Sequence, residues 1–238
     1  YIVGLAAFVS GDPGYAERML LSAEGMMKQV RFRPPGFSRI AERLPLQILD
    51  LYRMWHAALS KAYFHSRHPQ DLVNAERIAL AILVRDPSDY SASLVMAIAD
   101  FVFRRDTKSA IHRVWAFRKQ RDQTWRFSYA FLLAYTGRMR EARDQYRIAF
   151  NGVTSSETVP VQAEEFIQMI LDEEPEKCQL HFASALINLH AKGDLTGARR
   201  DLHLFVVAEG AETFAEELAL SEGLLQAIDA KLAGDQIE

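Results

Sequence analysis

Gly-Arg-Met-Arg-Glu-Ala (137–142) and Gly-Asp-Leu-Thr-Gly-Ala (193–198) share one layout, a glycine five residues ahead of an alanine. Gly11 and Ala16 repeat it near the start of the chain. In each case an apolar segment leads into the glycine and an amphipathic one leaves the alanine. Glycine accepts the left-handed backbone of a tight turn, and alanine lets two helices approach closely. The layout therefore reads as helix–turn–helix. A chain of such units is a solenoid, in which each unit buries its apolar face against the next.

The periodicity around these stretches is helical. Val95, Ile98, Phe101 and Val102 fall at i, i+3, i+6 and i+7 and form one apolar stripe. Leu132 and Leu133, then Tyr146 and Ala149, do the same for the next pair of segments. No Asn-Gly or Asp-Gly turn lies between alternating β-branched runs, so the fold class is all-α. Asn151-Gly152 follows an amphipathic segment and reads as a helix C-cap. Breakers stand at Asp12-Pro13-Gly14, Pro34-Pro35-Gly36, Pro45, His68-Pro69, Asp86-Pro87, Val153–Pro160, Pro175 and Gly193. They predict about ten to twelve helices.

Aligned on their small residue, the units are anchored at Ala16, Ala75, Ala110, Ala142 and Ala198. The middle spacings are 35 and 32 residues; the outer ones, 59 and 56, leave room for an added helix or a degenerate unit. The unit over 123–156 resembles a tetratricopeptide repeat. Trp125 lies near its start, Ala130 and Leu133 in its first helix, Gly137 at its turn, and Ala142, Tyr146 and Ala149 in its second helix. Ala75, Ala79, Ile82 and Pro87 fit the same pattern, and the segments around Ala110 and Ala198 follow it more loosely. The resemblance implies a right-handed α-solenoid of antiparallel helix pairs with degenerate outer repeats. The expected arrangement is one domain over 1–238, with a possible subdivision at 151–160. The amphipathic segment from Thr213 to Leu232, with Phe214, Leu218, Leu220, Leu224 and Leu225 to pack, is the expected capping helix.

The resemblance also implies that first helices line a concave face. Phe127, Phe131 and Tyr135 would then form an apolar groove with Val95, Ala99 and Phe103 of the preceding unit, edged by Arg104, Arg126 and Arg138. Such a groove suits an acidic or amphipathic peptide or a partner domain. The expected function is a protein-interaction module, an adaptor or scaffold. The family's Lys/Asn clamp for a terminal carboxylate is not recognisable.

Charge supplies the alternative. Net charge is −3, yet residues 1–150 hold 23 Lys and Arg against 14 Asp and Glu, whereas 151–238 hold 5 against 17. The stretch 104–147 carries 12 basic and 4 acidic side chains interleaved with Trp115, Trp125, Phe127, Phe131 and Tyr135. Arginine neutralises phosphate and exposed aromatics stack on bases, so nucleic acid is the second candidate partner. The bland reading of the same residues is an aromatic core with arginine outside.

Catalytic signatures are absent: there is no phosphate-binding glycine loop, dinucleotide fingerprint or nucleophile elbow. Cys178 and His181 are three apart but lack an orienting third group, and read as packing. His65 and His68 beside Asp71 have weak metal-ligand spacing and read equally as a helix end. Glu164-Glu165 and Asp172-Glu173-Glu174 are adjacent in sequence, so their carboxylates do not face one another on a helix. The expectation is no enzyme, no metal and no cofactor. A single cysteine excludes an internal disulfide and suits the cytoplasm, with the periplasm left open. The apolar run from Tyr1 to Val9 is too short to cross a bilayer.

Overall fold

The computed structural model describes residues 12–29, 37–119, 122–151 and 158–234. Among the described residues every regular element is a helix and there is no strand. In chain order they are α1 (Pro13–Gln29), α2 (Phe37–Ser66), α3 (Pro69–Arg85), α4 (Tyr90–Val102), α5 (Thr107–Ala116) and α6 (Gln123–Tyr135). They continue with α7 (Met139–Phe150), α8 (Thr158–Glu173), α9 (Gln179–Ile187), α10 (Leu195–Val207) and α11 (Ala215–Gly234). A π-helical turn, Asn188–Lys192, prolongs α9, and a 3₁₀ turn, Ala211–Phe214, leads into α11. No helix among the described residues is long and apolar enough to cross a membrane.

Helix starts follow a common chemistry. Asp12, Asp89, Asp106, Asp122 and Asp194 each accept a first-turn amide on the side chain, at 2.9, 3.0, 3.0, 2.7 and 2.8 Å. That satisfies a donor the helix itself leaves without an acceptor. All five anchor alanines have no exposed surface. In four of them the amide closes the first turn onto the capping residue: Ala16 onto Asp12, Ala110 onto Asp106, Ala142 onto Arg138 and Ala198 onto Asp194. Gly137 and Gly193, ahead of two of these starts, have φ of 78° and 68°.

Several breakers act otherwise than the sequence suggests. Pro45 lies inside α2, which runs unbroken from Phe37 to Ser66. Its missing N–H is outweighed by the packing of Leu44, Ile48 and Leu51, all at most 1% exposed. The 153–160 linker is shorter than expected because α8 already begins at Thr158, with Pro160 in its first turn, where proline costs little. Pro34-Pro35-Gly36 and Gly152 lie outside the described residues.

The chain forms two compact units, Tyr1–Arg104 and Arg105–Glu238. The division falls after α4 and not at 151–160, so the expected pair around Ala110, α4 with α5, is split between units. In the first unit α1 packs on α2, α2 on α3, and α3 on α4. Arg85 holds both carboxylate oxygens of Glu24 at 3.1 Å, tying α3 to α1. Arg53 reaches Asp86 and Asp89 at 2.8 Å and fixes the α3–α4 turn to α2. The Tyr52 hydroxyl donates to Glu17 at 3.0 Å, and burial first, then that carboxylate, pushes its pKa up to about 12. His56 is 2% exposed and its buried Nε2 has no partner among the described residues, so burial holds its pKa below 6.5 against the weaker pull of Asp89.

In the second unit α6 packs on α5, α7, α8 and α9, and α9 on α8 and α10. The C-terminal α11 lies on α10 as the capping segment was expected to, though Leu220 is exposed rather than packed.

Two outcomes follow for stability. A methyl at Gly193 forces a left-handed backbone on an L residue, so Gly193→Ala loses about 1–2 kcal/mol. Gly223, inside α11 with open space around its Cα, gains about 0.5–1 kcal/mol on Gly223→Ala. Urea denaturation of both variants checks the pair. For pH, the unfolded chain binds more protons than native His56 below pH 6.5, so this part of the stability is complete above 6.5 and declines on acidification. His56→Leu should flatten the stability slope between pH 7 and 5, and an unchanged slope would clear His56 of that role.

Candidate interaction surface

The residues expected to form the groove have different fates. Val95 is buried in the first unit, 4% exposed on α4. Phe103, the C-cap residue of α4, is exposed at 39%. Arg104 is held by Glu76 and, at 3.2 Å, by Asp100. The other five residues belong to the second unit.

Phe127 and Phe131 are not surface anchors: they are 2% and 6% exposed. Phe127 meets Tyr146 and Phe150 of α7 edge-on at 5.9 and 6.0 Å. Phe131 meets Phe166 of α8 edge-on at 5.0 Å. The reason is α8. Ile167, Ile170 and Leu171 of α8 are buried, and their helix covers α6 and α9 together. Phe131 therefore packs against the chain itself.

Tyr135 is half-buried at the end of α6. Its hydroxyl donates to Glu174 at 2.7 Å, Lys177 lies 4.5 Å from its ring centroid, and burial with Glu174 raises its pKa to about 12. Arg126 donates to Gln145 at 3.3 Å. Arg138 forks onto Glu141 at 2.7 and 2.6 Å.

Part of the wider basic stretch is matched by the chain's own carboxylates. Arg105 grips Glu173 and Glu174 at 3.0 and 2.6 Å, Arg143 grips Glu216 and Glu217 at 2.7 and 3.1 Å, and Arg147 reaches Asp144. Opposite charges from the two halves of the sequence thus meet: Arg105, ahead of α5, reaches the end of α8, and Arg143 of α7 reaches α11. Exposed pairs of this kind contribute little each to stability but consume much of the positive surface.

At α5 an aromatic cluster reaches the surface. Trp115 is exposed at 43% while its ring rests against Tyr129 and Trp125, with centroids 5.3 and 6.3 Å away. The Trp125 indole N–H donates to the Val114 carbonyl at 2.7 Å, which fixes this cluster to the end of α5. The Arg118 guanidinium lies over the Trp115 ring at 5.4 Å.

A polar cluster that the sequence did not reveal lies between α8, α9 and α10. Asp201 has no exposed surface and accepts from Ser184 at 2.6 Å, Asn188 at 3.0 Å and Arg200 at 2.9 Å. Gln168 of α8 donates to Ser184 at 3.0 Å. A Cβ at Gly197 would run into Asp194 and Asn188 here, so the second glycine of the 193–198 stretch is required by space rather than by backbone angle. The carboxylate is satisfied on all sides and acts as a pin between helices. Ser184 and Asn188 are four residues apart, which sets both on one helix face toward Asp201.

The weaker chemical candidates resolve as structure. Cys178 is buried and its thiol pushed up by that burial, away from the thiolate. His68 accepts the Gln70 amide as the N-cap of α3, rather than facing a helix C-terminus as expected, and Asp71 accepts from Ser66 at 2.8 Å. No group of three or more metal-ligating side chains occurs among the described residues. No protein-family model and no curated protein matches the chain.

Phe131→Ala should lower the stability of the second unit by about 3–5 kcal/mol through the cavity left beside Phe166. Urea denaturation measures it, and a loss under about 1 kcal/mol would return Phe131 to a surface role.

Proposed function

We propose that this chain is an interaction module, a tetratricopeptide-like right-handed solenoid that serves as an adaptor for a protein segment or partner domain. One observation carries the reading. The pairs α6–α7 and α9–α10 turn at left-handed Gly137 and Gly193, and each second helix opens on a fully buried alanine. The first helices α6 and α9 also pack on each other, as stacked repeats do. Stacked pairs present helix faces, and binding by helix faces is what such architectures offer a partner. In this reading the chain is not an enzyme, needs no cofactor and works in the cytoplasm.

The burial of Phe127 and Phe131 shifts recognition in the second unit to exposed side chains, among them Arg138 and Trp115. A second reading, nucleic-acid binding, is favoured by Trp115 under Arg118 on a segment, 107–119, that contains four Lys and Arg and no Asp or Glu.

An affinity pull-down from native extract, with and without nuclease, separates the two. The expected outcome is a stoichiometric protein that survives nuclease. Loss of all specific signal on nuclease treatment would transfer the function to nucleic acid.

A further inference from the structure

We infer that α11 is a releasable strap, latched to α7 by charge, whose opening frees the C-terminal helix as one unit and uncovers the turn at Gly137 and the Phe205 ring of α10. The helix is shallowly seated. Of its residues Glu217, Ser221 and Ile228 are buried, and two of these three are polar. Leu218, Leu224, Leu225 and Leu232 are half-buried and Leu220 is exposed, so its leucines are only partly covered. In α9, by contrast, every residue except His181 is buried. Apolar burial stabilises in proportion to the area covered, and α11 gains correspondingly little from it.

Charge supplies the hold. Arg143 of α7 donates to Glu216 at 2.7 Å and lies 3.1 Å from Glu217, while Arg199 of α10 donates to Asp229 at 2.5 Å. Glu216, Asp229 and Arg199 are open to water, so dissolved salt screens their pairs. Ahead of the helix the Phe214 ring lies over Gly137 and beside Phe205, with ring centroids 6.4 Å apart.

Glu217 makes the latch reversible. Its buried Oε1 has no hydrogen bond directed at it among the described residues, although the Arg143 guanidinium is near. Ser221 turns its hydroxyl onto the Glu217 carbonyl of the same helix at 2.8 Å. A buried carboxylate so poorly met regains hydration when it is exposed, and that gain favours release. Asp201 in the same unit shows the opposite design: it accepts from Ser184, Asn188 and Arg200 and pins its helices.

The joint suits the motion. Between α10 and the 3₁₀ turn stand exposed Glu209 and left-handed Gly210, with φ of 88°. A glycine there absorbs a change of backbone angle at little steric cost. The strap is a property of the second unit and does not depend on the interaction-module reading.

Hydrogen exchange of the full chain, read by mass spectrometry at about 50 and about 500 mM sodium chloride, tests it. The amides of 215–225 should exchange at least about tenfold faster than those of α9, and high salt should speed them at least about threefold while leaving α9 unchanged. Arg143→Ala, which strands Glu217 without a counter-charge, should speed 215–225 at least about tenfold further. Glu217→Leu, which replaces the carboxylate with an apolar side chain, should slow it at least about threefold. If Arg143→Ala does not fold, Glu217→Leu and the salt series decide. Exchange that is fastest at Gly234 and fades toward 215, whatever the salt or variant, is fraying of a chain end and would overturn the strap. Exchange of 215–225 that matches α9 in every sample would make α11 a permanent cap and overturn it equally.

Discussion

The side chains of α6 and α9 are buried around almost their whole circumference, and the second unit is organised to make that possible. From Tyr129 to Ala134 every residue of α6 is buried, as is every residue from Phe182 to Asn188. A helix apolar all round has no stable place at a surface, so neighbours must enclose it. Here α5, α7 and α8 enclose α6, while α8 and α10 enclose α9. The Asp201 cluster sits in the same packing and ties Gln168 of α8 to the π-helical end of α9. A fully buried carboxylate costs free energy unless every acceptor position is met, so it penalises alternative registers among these helices.

This enclosure has a functional consequence. Aromatic side chains that would line an open groove in a bare stack of helix pairs are used up as core. What remains for recognition is at the periphery, and there charge decides. Arg105 and Arg143 are answered by glutamates brought to them from later in the chain, and Arg138 and Arg147 by carboxylates three residues away. The α5 segment combines several cations with an exposed indole and contains no Asp or Glu.

Local chemistry was well legible in the residues. Asp12, Asp89, Asp106, Asp122 and Asp194 announce helix starts because an aspartate before a helical run satisfies free amides wherever the helix goes. Gly137 and Gly193 announce turns because few other residues accept a left-handed backbone. The burial of Ala16, Ala75, Ala110, Ala142 and Ala198 follows from periodicity, which assigns each to the inner face of its own helix. Pro45 misled because its cost is local, about 3 kcal/mol, whereas the packing that carries α2 past it comes from other helices, chiefly α1 and α3.

The candidate site was legible in composition but not in geometry. Phe127, Phe131 and Trp115 are equally aromatic and flanked by similar charges, so no local rule tells core from surface among them. The difference lies in α8: Phe166 covers Phe131, while Trp115 has Tyr129 and Trp125 beneath it and remains exposed. By itself the sequence determined the helical class, the turns at Gly137 and Gly193 and the small-residue anchors, since each depends on contacts within a few residues. Only the tertiary structure decided which aromatics are enclosed and which arginines are answered, because those depend on partners some ten to seventy residues away.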